Sequence, residues 1–177
     1  IDGKAFHTYT RGLKKPFDYD LTEDIDRAVI EILPHIQGAK FAYCQSDEIS
    51  ILLTDFDSTQ TSAWFDGNIQ KITSVSSSLM TGEFNKLRII RQIGTIDFIN
   101  AKGIEEATIA YFDSRIFTIP DRTEVMNYFI WRNQDCSRNS VSMVAQSLFS
   151  HKELQGKSSA QMQEMIFQKT GKNWADY

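Results

Sequence analysis

The sequence predicts an α+β fold in which helices cover a small antiparallel sheet. Three observations predict it: a β-prone hairpin pattern at residues 40–55, a long helical pattern on each side of that hairpin, and a strand pattern at residues 110–120. With a short first strand at the start of the chain, the order is strand, helix, hairpin, helix, strand, as in a split βαβ unit. This order resembles a ferredoxin-like fold, and the later helical patterns predict a C-terminal annex.

The first half of the chain carries the clearest signals. Apolar residues recur at helical spacing within residues 21–36, acidic residues gather early, and Gly38 follows as a stop signal. The hairpin pairs residues 40–45 with residues 49–54 and leaves three polar residues, 46–48, for the turn. The pattern therefore predicts a helix and then a hairpin with an acidic tip.

The second half is less regular. A second long helix is predicted to start near Ser62, whereas residues 84–106 favour loop and irregular structure. Three further helices are predicted at residues 124–132, 139–149 and 160–169.

Chain length indicates one domain spanning residues 1–177. Only Ile1 precedes Asp2, although a first strand should end there, and residues 173–177 stop without a closing signal. We therefore expect a single domain that is truncated at both ends.

Composition excludes several classes of protein. With 41% hydrophobic and 24% charged residues, the chain is typical of soluble globular domains. Its two cysteines, Cys44 and Cys136, are too few and too far apart for a disulfide scaffold or a zinc site. The net charge of −4 argues against a protein that coats nucleic acid by bulk electrostatics, although local basic patches can still contact phosphates. No membrane span or secretory signal is visible, so the cytoplasm is the expected location.

Two acidic clusters suggest a site. Asp2 and Gly3 stand at the end of the first strand, and Asp47 and Glu48 stand at the hairpin tip. Magnesium prefers oxygen ligands and usually takes one or two carboxylates together with phosphate oxygens and water. The pair of clusters therefore suggests phosphoryl or nucleotidyl transfer, although an acidic turn is often only turn chemistry.

An ordered set of motifs resembles one known family. The motifs are residues 1–7 (IDGKAFH), 15–17 (KPF), 45–50 (QSDEIS), 64–65 (WF), 112–115 (FDSR), 128–135 (YFIWRNQD) and 171–174 (GKNW). In this order they resemble the tRNA-histidine guanylyltransferase family, and in particular its guanylyltransferase-like branch of 3′–5′ RNA polymerases. The resemblance implies a polymerase-like palm and an enzyme, a nucleotidyltransferase that adds nucleotides to the 5′ end of tRNA.

The resemblance also implies roles for the acidic clusters. Asp2 and Asp47 would hold two Mg²⁺ ions, with the Gly3 carbonyl as an additional ligand. Glu48 would be an auxiliary catalytic carboxylate that faces the other side of the hairpin from Asp47.

Further residues are implied for substrate binding. ATP and GTP are the expected substrates, and tRNA and a homotetrameric assembly are the expected partners. The implied nucleotide-binding residues are Gly3, Lys4, Ala5, Phe6, His7, Lys15, Ser46 and Lys71. The implied RNA-binding residues are Arg132, Arg138 and Asn139.

One stretch departs from the eukaryotic pattern. Eukaryotic members carry HINNLYN where this chain has residues 137–143 (SRNSVSM), which keep only Asn139. This departure favours the guanylyltransferase-like branch and a templated repair of tRNA 5′ ends.

Two other classes of function stay open. A palm-type nucleotide cyclase also uses two carboxylates and Mg²⁺, but the turn at residues 45–48 lacks the glycine pair of a diguanylate cyclase. A non-catalytic RNA-binding relative is the other alternative, and the joint presence of Asp2, Gly3 and Asp47 argues against it.

Overall fold

The computed structural model describes residues 1–95 and 108–177. In this part of the chain the helices are α1 (Phe6–Tyr9), α2 (Tyr19–Ile32), α3 (Ile69–Thr95), α4 (Arg122–Leu148), α5 (His151–Leu154) and α6 (Ser159–Thr170). The strands are β1 (Asp2–Gly3), β2 (Ala39–Gln45), β3 (Glu48–Leu53) and β4 (Phe112–Asp113). Short turns of 3₁₀ type occupy Leu33–His35 and Trp174–Asp176, and Trp64–Gly67 forms a turn in which Phe65 and Asp66 are left-handed.

The four strands form one antiparallel sheet in the order β2-β3-β1-β4. This is the strand order of the ferredoxin-like split βαβ unit, in which the first strand lies between the third and the fourth. The predicted fold class is therefore confirmed, with β1 at the centre of the sheet.

An aromatic cluster fills the space between the sheet and its helices. Phe6, Phe84 and Phe112 are at most 7% exposed, and their ring centroids lie 5.3–5.9 Å apart. Centroid separations in this range are favourable for tilted and edge-to-face aromatic pairs. The cluster joins the start of α1, the middle of α3 and β4, so it fixes the segment that follows Gly3 and the strand that pairs with β1.

Side chains of α3 hold the outer edge of the β4 segment. The Asn85 amide donates to the Ala110 carbonyl at 2.8 Å and accepts from the Ala110 N–H at 2.9 Å. One turn earlier, Thr81 Oγ1 accepts from the Phe112 N–H at 3.2 Å. Thr81 and Asn85, one helical turn apart on α3, therefore bind Phe112 and Ala110, which are two residues apart along the strand segment.

A third contact continues this row. Ser76 Oγ lies 2.7 Å from Ser114 Oγ, and Ser76 is buried. We refer to Asn85, Thr81 and Ser76 as the polar ladder of α3. Because the ladder bonds residues 110, 112 and 114, the alternate residues 111, 113 and 115 face away from α3.

Two boundaries in the first half differ from the predictions. Helix α2 ends at Ile32, and the predicted end of the 21–36 helix is instead the 3₁₀ turn Leu33–His35, which contains Pro34. The hairpin turn has two residues rather than three, since Glu48 already belongs to β3 and pairs with Gln45. Ser46 supplies the positive φ, 54°, that such a short turn needs.

The prediction of irregular structure over residues 84–106 is wrong for its first part. Helix α3 starts at Ile69, later than the predicted Ser62, and continues to Thr95. In the sequence, Arg88 and Arg91 look like solvent-exposed charges of a loop. In the structure, both form ion pairs with Asp24 of α2. The rest of that prediction, residues 96–106, lies outside the described residues.

The predicted separation of helices 124–132 and 139–149 is also wrong. A single helix, α4, runs through the polar stretch between them. Asp135 accepts hydrogen bonds from Arg138 and Asn139, and Ser137 Oγ donates to the Asn133 carbonyl. The side-chain pairs of Asp135 with Arg138 and Asn139, three and four residues apart, favour helix where hydrophobic spacing is absent.

The predicted strand at residues 110–120 is only partly confirmed, because strand pairing is confined to β4. The 160–169 helix is confirmed as α6, which begins with a capping box at Ser158 and ends at Gly171.

The described chain divides into two compact units. The first comprises Ile1–Arg11 and Asp20–Thr118, and the second comprises Gly12–Tyr19 and Ile119–Tyr177. The core of the second unit consists of Val141, Val144, Ala145, Leu154 and Ile166. The helical annex is thus present, and the single domain spanning residues 1–177 stays a prediction. No helix within the described ranges is long and apolar enough to cross a membrane.

Cys44 offers a test of the packing between the sheet and α2. Burial raises the pKa of the Cys44 thiol to about 12, and the neighbouring Asp26 adds to this shift. Since the thiolate is the reactive form, we expect slow alkylation of Cys44 at pH 7–8 in the folded protein. Iodoacetamide labelling followed by peptide mass spectrometry would measure this, with urea-unfolded protein as the control. Equal labelling rates for folded and unfolded protein would contradict the burial.

Candidate active site

The centre of the site is β1, which carries Asp2 between two neighbours. The Ile49 N–H donates to the Ile1 carbonyl at 2.8 Å, and the Gly3 N–H donates to the Asp47 carbonyl at 3.2 Å. Asp2 therefore projects from a strand that is held beside the β2–β3 turn. The structure brings the two acidic clusters together, as the sequence suggested.

Gly3 lies where no side chain can fit. A Cβ at this position would stand 2.3 Å from Cδ2 of Phe6 and 2.8 Å from Cβ of Asp47. Separations below about 3 Å require that the neighbouring atoms move. The glycine thus lets the main chain of β1 approach the turn that carries Asp47.

We expect Gly3→Ala to disrupt the site. The added methyl group would push Phe6 out of the aromatic cluster or move Asp47, and overpacking of this kind typically costs about 1–3 kcal/mol. Nucleotide binding and the free energy of unfolding should both fall, measured by calorimetry and by urea titration. Gly82→Ala is the matched control, because a Cβ at Gly82 would meet nothing within 4 Å. Wild-type behaviour of Gly3→Ala would contradict the crowding.

Asp47 is in an unfavourable place for a charge. Burial raises the pKa of its carboxyl above the ordinary value, and the nearby charge of Asp2 raises it further. Hydrogen bonds within the turn, including one at 3.1 Å from Ser46 Oγ to Asp47 Oδ1, oppose this shift. A cation bound beside Asp47 and Asp2 would stabilise the ionised form of Asp47, which burial and the charge of Asp2 disfavour.

The raised pKa of Asp47 predicts that its ionised carboxylate lowers the free energy of unfolding of the metal-free protein. The folded protein binds the Asp47 proton more tightly than the unfolded chain does, so stability falls as pH rises through the folded-state pKa. Above that pKa, Asp47→Asn should be more stable than the wild type in EDTA. Thermal melts at pH 7 and pH 4 would measure the difference, which should shrink at the lower pH. A less stable Asp47→Asn at pH 7 would contradict the expectation.

Glu48 is the direct cross-strand partner of Asp2. Because such partners leave the same face of a sheet, Glu48 lies on the face of Asp2, and its Oε2 atom is buried. Asp113 is the partner of Asp2 on the other side. The register thus places three carboxylates in one row across the sheet.

The donor set fits a hard divalent cation. Within residues 1–95 and 108–177, no three His, Cys, Asp or Glu side chains converge as ligands. Two carboxylates, from Asp2 and Asp47, with the adjacent Gly3 main chain are the small oxygen set that Mg²⁺ takes when phosphate supplies the rest. The residues present therefore fit magnesium better than zinc, which needs three or four nitrogen, sulfur or oxygen ligands from the protein.

The segment that follows β1 has a divided role. The N–H groups of Gly3 and Lys4 donate to the sheet, the latter to the Tyr111 carbonyl at 2.8 Å. Ala5, the N-cap of α1, has a left-handed main chain (φ 54°). The first N–H that donates within α1 is that of Thr8, so the amides of residues 5–7 lie at the N-terminal end of this helix. Because the N–H groups of Gly3 and Lys4 are engaged, a triphosphate would contact the main-chain amides of residues 5–7 rather than those of all the implied residues 3–7.

The side chains in that segment differ in exposure. Phe6 belongs to the aromatic cluster, so only its main chain can contact a ligand. His7 and Lys4 are exposed, and His7 Nε2 lies 3.1 Å from Thr8 Oγ1.

Lys71 lies in the first turn of α3 and is exposed. Its Nζ stands 5.8 Å from the ring centroid of Phe65, whose main chain is left-handed (φ 50°). Asn68 Oδ1 accepts from the Lys71 N–H at 3.0 Å, which is the geometry of a helix N-cap. Asn68 thus has a structural reason to be present near the predicted phosphate contact.

Sequence reasoning assigned no role to Arg115. Its Nη2 atom lies 3.3 Å from Asp2 Oδ2 and 3.6 Å from Asp113 Oδ1. The sequence signal for this role is the alternation of Asp113 and Arg115 within the 112–115 motif.

Comparisons with known proteins agree with this arrangement. The family model described as "Thg1: tRNAHis guanylyltransferase" matches residues 1–120 of the chain. The chain belongs to the Thg1 family. The predicted family is confirmed, and the match includes the strands and turn that carry Asp2 and Asp47.

Individual Thg1 proteins are similar over nearly the whole chain. A bacterial Thg1-like protein solved in complex with ATP is 44% identical with a TM-score of 0.89, and the match covers 99% of this chain and 72% of that one. A bacterial Thg1-like protein in complex with GTP is 41% identical with a TM-score of 0.78, covering 99% of this chain and 66% of that one. The tRNA(His) guanylyltransferase of Debaryomyces hansenii is 25% identical over 98% of this chain and 66% of its own length. The chain spans 60–66% of the length of the first curated relatives it matches.

Four predicted residues of this Thg1-family chain belong to the second unit. They are Lys15, Arg132, Arg138 and Asn139. Lys15, Arg138 and Asn139 are exposed, whereas Arg132 is buried beside the Trp131 ring, with a centroid distance of 5.0 Å. Their roles toward triphosphate and RNA stay predictions, and a buried Arg132 suits packing better than phosphate contact.

Proposed function

We propose that this chain forms the catalytic palm of a Mg²⁺-dependent nucleotidyltransferase that adds nucleotides to the 5′ end of tRNA in the 3′–5′ direction. The observation that carries the proposal is the meeting of Asp2 and Asp47 across the contact between Gly3 and the hairpin turn, in a chain of the Thg1 family. The ATP and GTP complexes of the similar bacterial proteins support nucleoside triphosphates as substrates.

The residues around this meeting point have separable tasks. Asp2 and Asp47 would hold two Mg²⁺ ions, with the Gly3 carbonyl as a further ligand and Glu48, on the neighbouring strand, as the auxiliary carboxylate beside Asp2. Bound Mg²⁺ lowers the pKa of an attacking hydroxyl and neutralises charge on the transferring phosphate. Gly3 itself keeps the two carboxylate-bearing segments close, because any side chain there would separate them.

Substrate positioning would come from the neighbouring segments. The main-chain amides of residues 5–7 would bind the triphosphate, and His7, Ser46 and Lys71 are accessible for further contacts. The family resemblance assigns a triphosphate contact to Lys15 and RNA contacts to Arg138 and Asn139, and both assignments belong to the proposal. A tRNA partner, a homotetramer and a cytoplasmic location belong to the proposal.

The test is a 5′-extension assay. The purified protein is incubated with 5′-truncated tRNA, ATP, the four NTPs and Mg²⁺, with templates that pair or mismatch opposite the missing position. Addition that requires pairing supports a repair polymerase, whereas a single unpaired G on tRNA-His alone indicates guanylylation.

The same assay separates the alternatives. A cyclic nucleotide formed from NTP without RNA would identify a cyclase. RNA binding with no extension would identify a non-catalytic relative. Either result would overturn the proposed function.

A further inference from the structure

We infer that Arg115 is a displaceable counter-ion of Asp2. Arg115 leaves the Asp2 carboxylate when a divalent cation binds there, and its guanidinium then pairs with the nucleotide triphosphate. The inference rests on the proposed function and adds a substrate-positioning residue to it.

The contact geometry is that of an exchangeable pair. The Asp2–Arg115 separation of 3.3 Å joins a guanidinium that is 77% exposed to a carboxylate that is 38% exposed. Exposed ion pairs of this kind contribute only about 0–1 kcal/mol. A divalent cation carries twice the charge of the guanidinium, so it would displace Arg115 from Asp2 at little cost.

Arg115 is held near the site independently of Asp2. Asp113 Oδ1 lies 3.6 Å from the same Nη2 atom, so the guanidinium keeps one partner when Asp2 binds a cation. The Ser114 hydroxyl bonds to Ser76, the last member of the polar ladder of α3. Because residue 114 faces α3, residue 115 is directed to the opposite face of the sheet, where Asp2 lies.

Chemistry on that face suits a triphosphate. With Asp2 engaged by the cation, the guanidinium has donors available for an anion beside the cation, and Arg binds phosphate oxygens with charge-assisted, often bidentate hydrogen bonds. Arg115 is therefore suited to reach phosphate oxygens of a nucleotide that enters with the metal.

Two binding measurements on the purified protein test this. Mn²⁺ alone, titrated by electron paramagnetic resonance without nucleotide, should bind Arg115→Gln about two- to fivefold more tightly than wild type, since a competing cation is gone. Mn²⁺-loaded ATP, measured by calorimetry, should bind Arg115→Gln about fivefold more weakly, since a phosphate partner is lost. Arg115→Lys should lie closer to wild type in both measurements.

The matched control is Arg27→Gln, which removes the same charge from an exposed position on α2 and should leave both affinities unchanged. Opposite shifts in the two affinities of Arg115→Gln support the exchange, because a merely structural loss would weaken both. If the wild type binds Mn²⁺ and Arg115→Gln binds Mn²⁺ equally or more weakly, this inference alone is overturned. It is likewise overturned if Arg115→Gln binds Mn²⁺-loaded ATP as tightly as the wild type does. Absence of Mn²⁺ binding by the wild type overturns the inference and the proposed metal site together.

Discussion

Asp47→Asn is expected to lower the rate of 5′ extension by about 10³-fold or more, which corresponds to about 4 kcal/mol of lost transition-state stabilisation. The amide keeps the size of the carboxylate but loses the charge that would hold Mg²⁺ beside Asp2. Single-turnover extension of 5′-truncated tRNA at saturating Mg²⁺ measures the effect directly.

The matched control is Asp55→Asn, an exposed carboxylate just beyond β3, which should retain wild-type activity. Asp47→Asn should also remain folded, because the substitution removes a charge whose burial is unfavourable. An active Asp47→Asn would therefore contradict the catalytic role, and loss of folding could not be offered as the reason for inactivity.

The largest expected effect on stability belongs to Asp24→Asn. Asp24 is 1% exposed, and its carboxylate accepts hydrogen bonds from Arg88 Nη1 at 2.9 Å and from Arg91 Nη2 at 2.7 Å. Removing one partner of a buried pair leaves the other charge uncompensated, which typically costs about 3–5 kcal/mol. We expect a loss near the lower end, since Arg91 keeps contacts to Asp20 and Glu23.

Urea titration followed by circular dichroism measures this loss. Asp20→Asn is the matched control, because it touches Arg91 from a position that is 48% exposed and should cost less than about 1 kcal/mol. Equal effects of the two substitutions would show that the buried network does not hold α2 to α3.

The sequence predicts the sheet well because its signals are local. The apolar spacing of α2 and the β-prone residues of β2 and β3 are visible in short windows. The glycine after Asp2 indicates a close approach of main chain. The meeting of Asp2 and Asp47 also follows from strand order alone.

The errors arise where distant contacts decide the structure. The second half of α3 looks irregular until Arg88 and Arg91 are paired with Asp24, which is more than 60 residues away. The middle of α4 has no hydrophobic period, and its helical state is supported instead by the side-chain bonds of Asp135 with Arg138 and Asn139. The contact of Arg115 with Asp2 depends on the register of β4 against β1, which no local pattern in the sequence specifies.

The polar ladder of α3 has a consequence for self-association. A strand at the margin of a sheet exposes unpaired amides and carbonyls that can recruit another chain. The outward-facing N–H and carbonyl of Ala110 and the N–H of Phe112 are instead bonded to Asn85 and Thr81, so these three groups are not open to intermolecular strand addition. Their amide protons should exchange with solvent as slowly as those of an interior strand, and any aggregation through sheet extension should begin at β2.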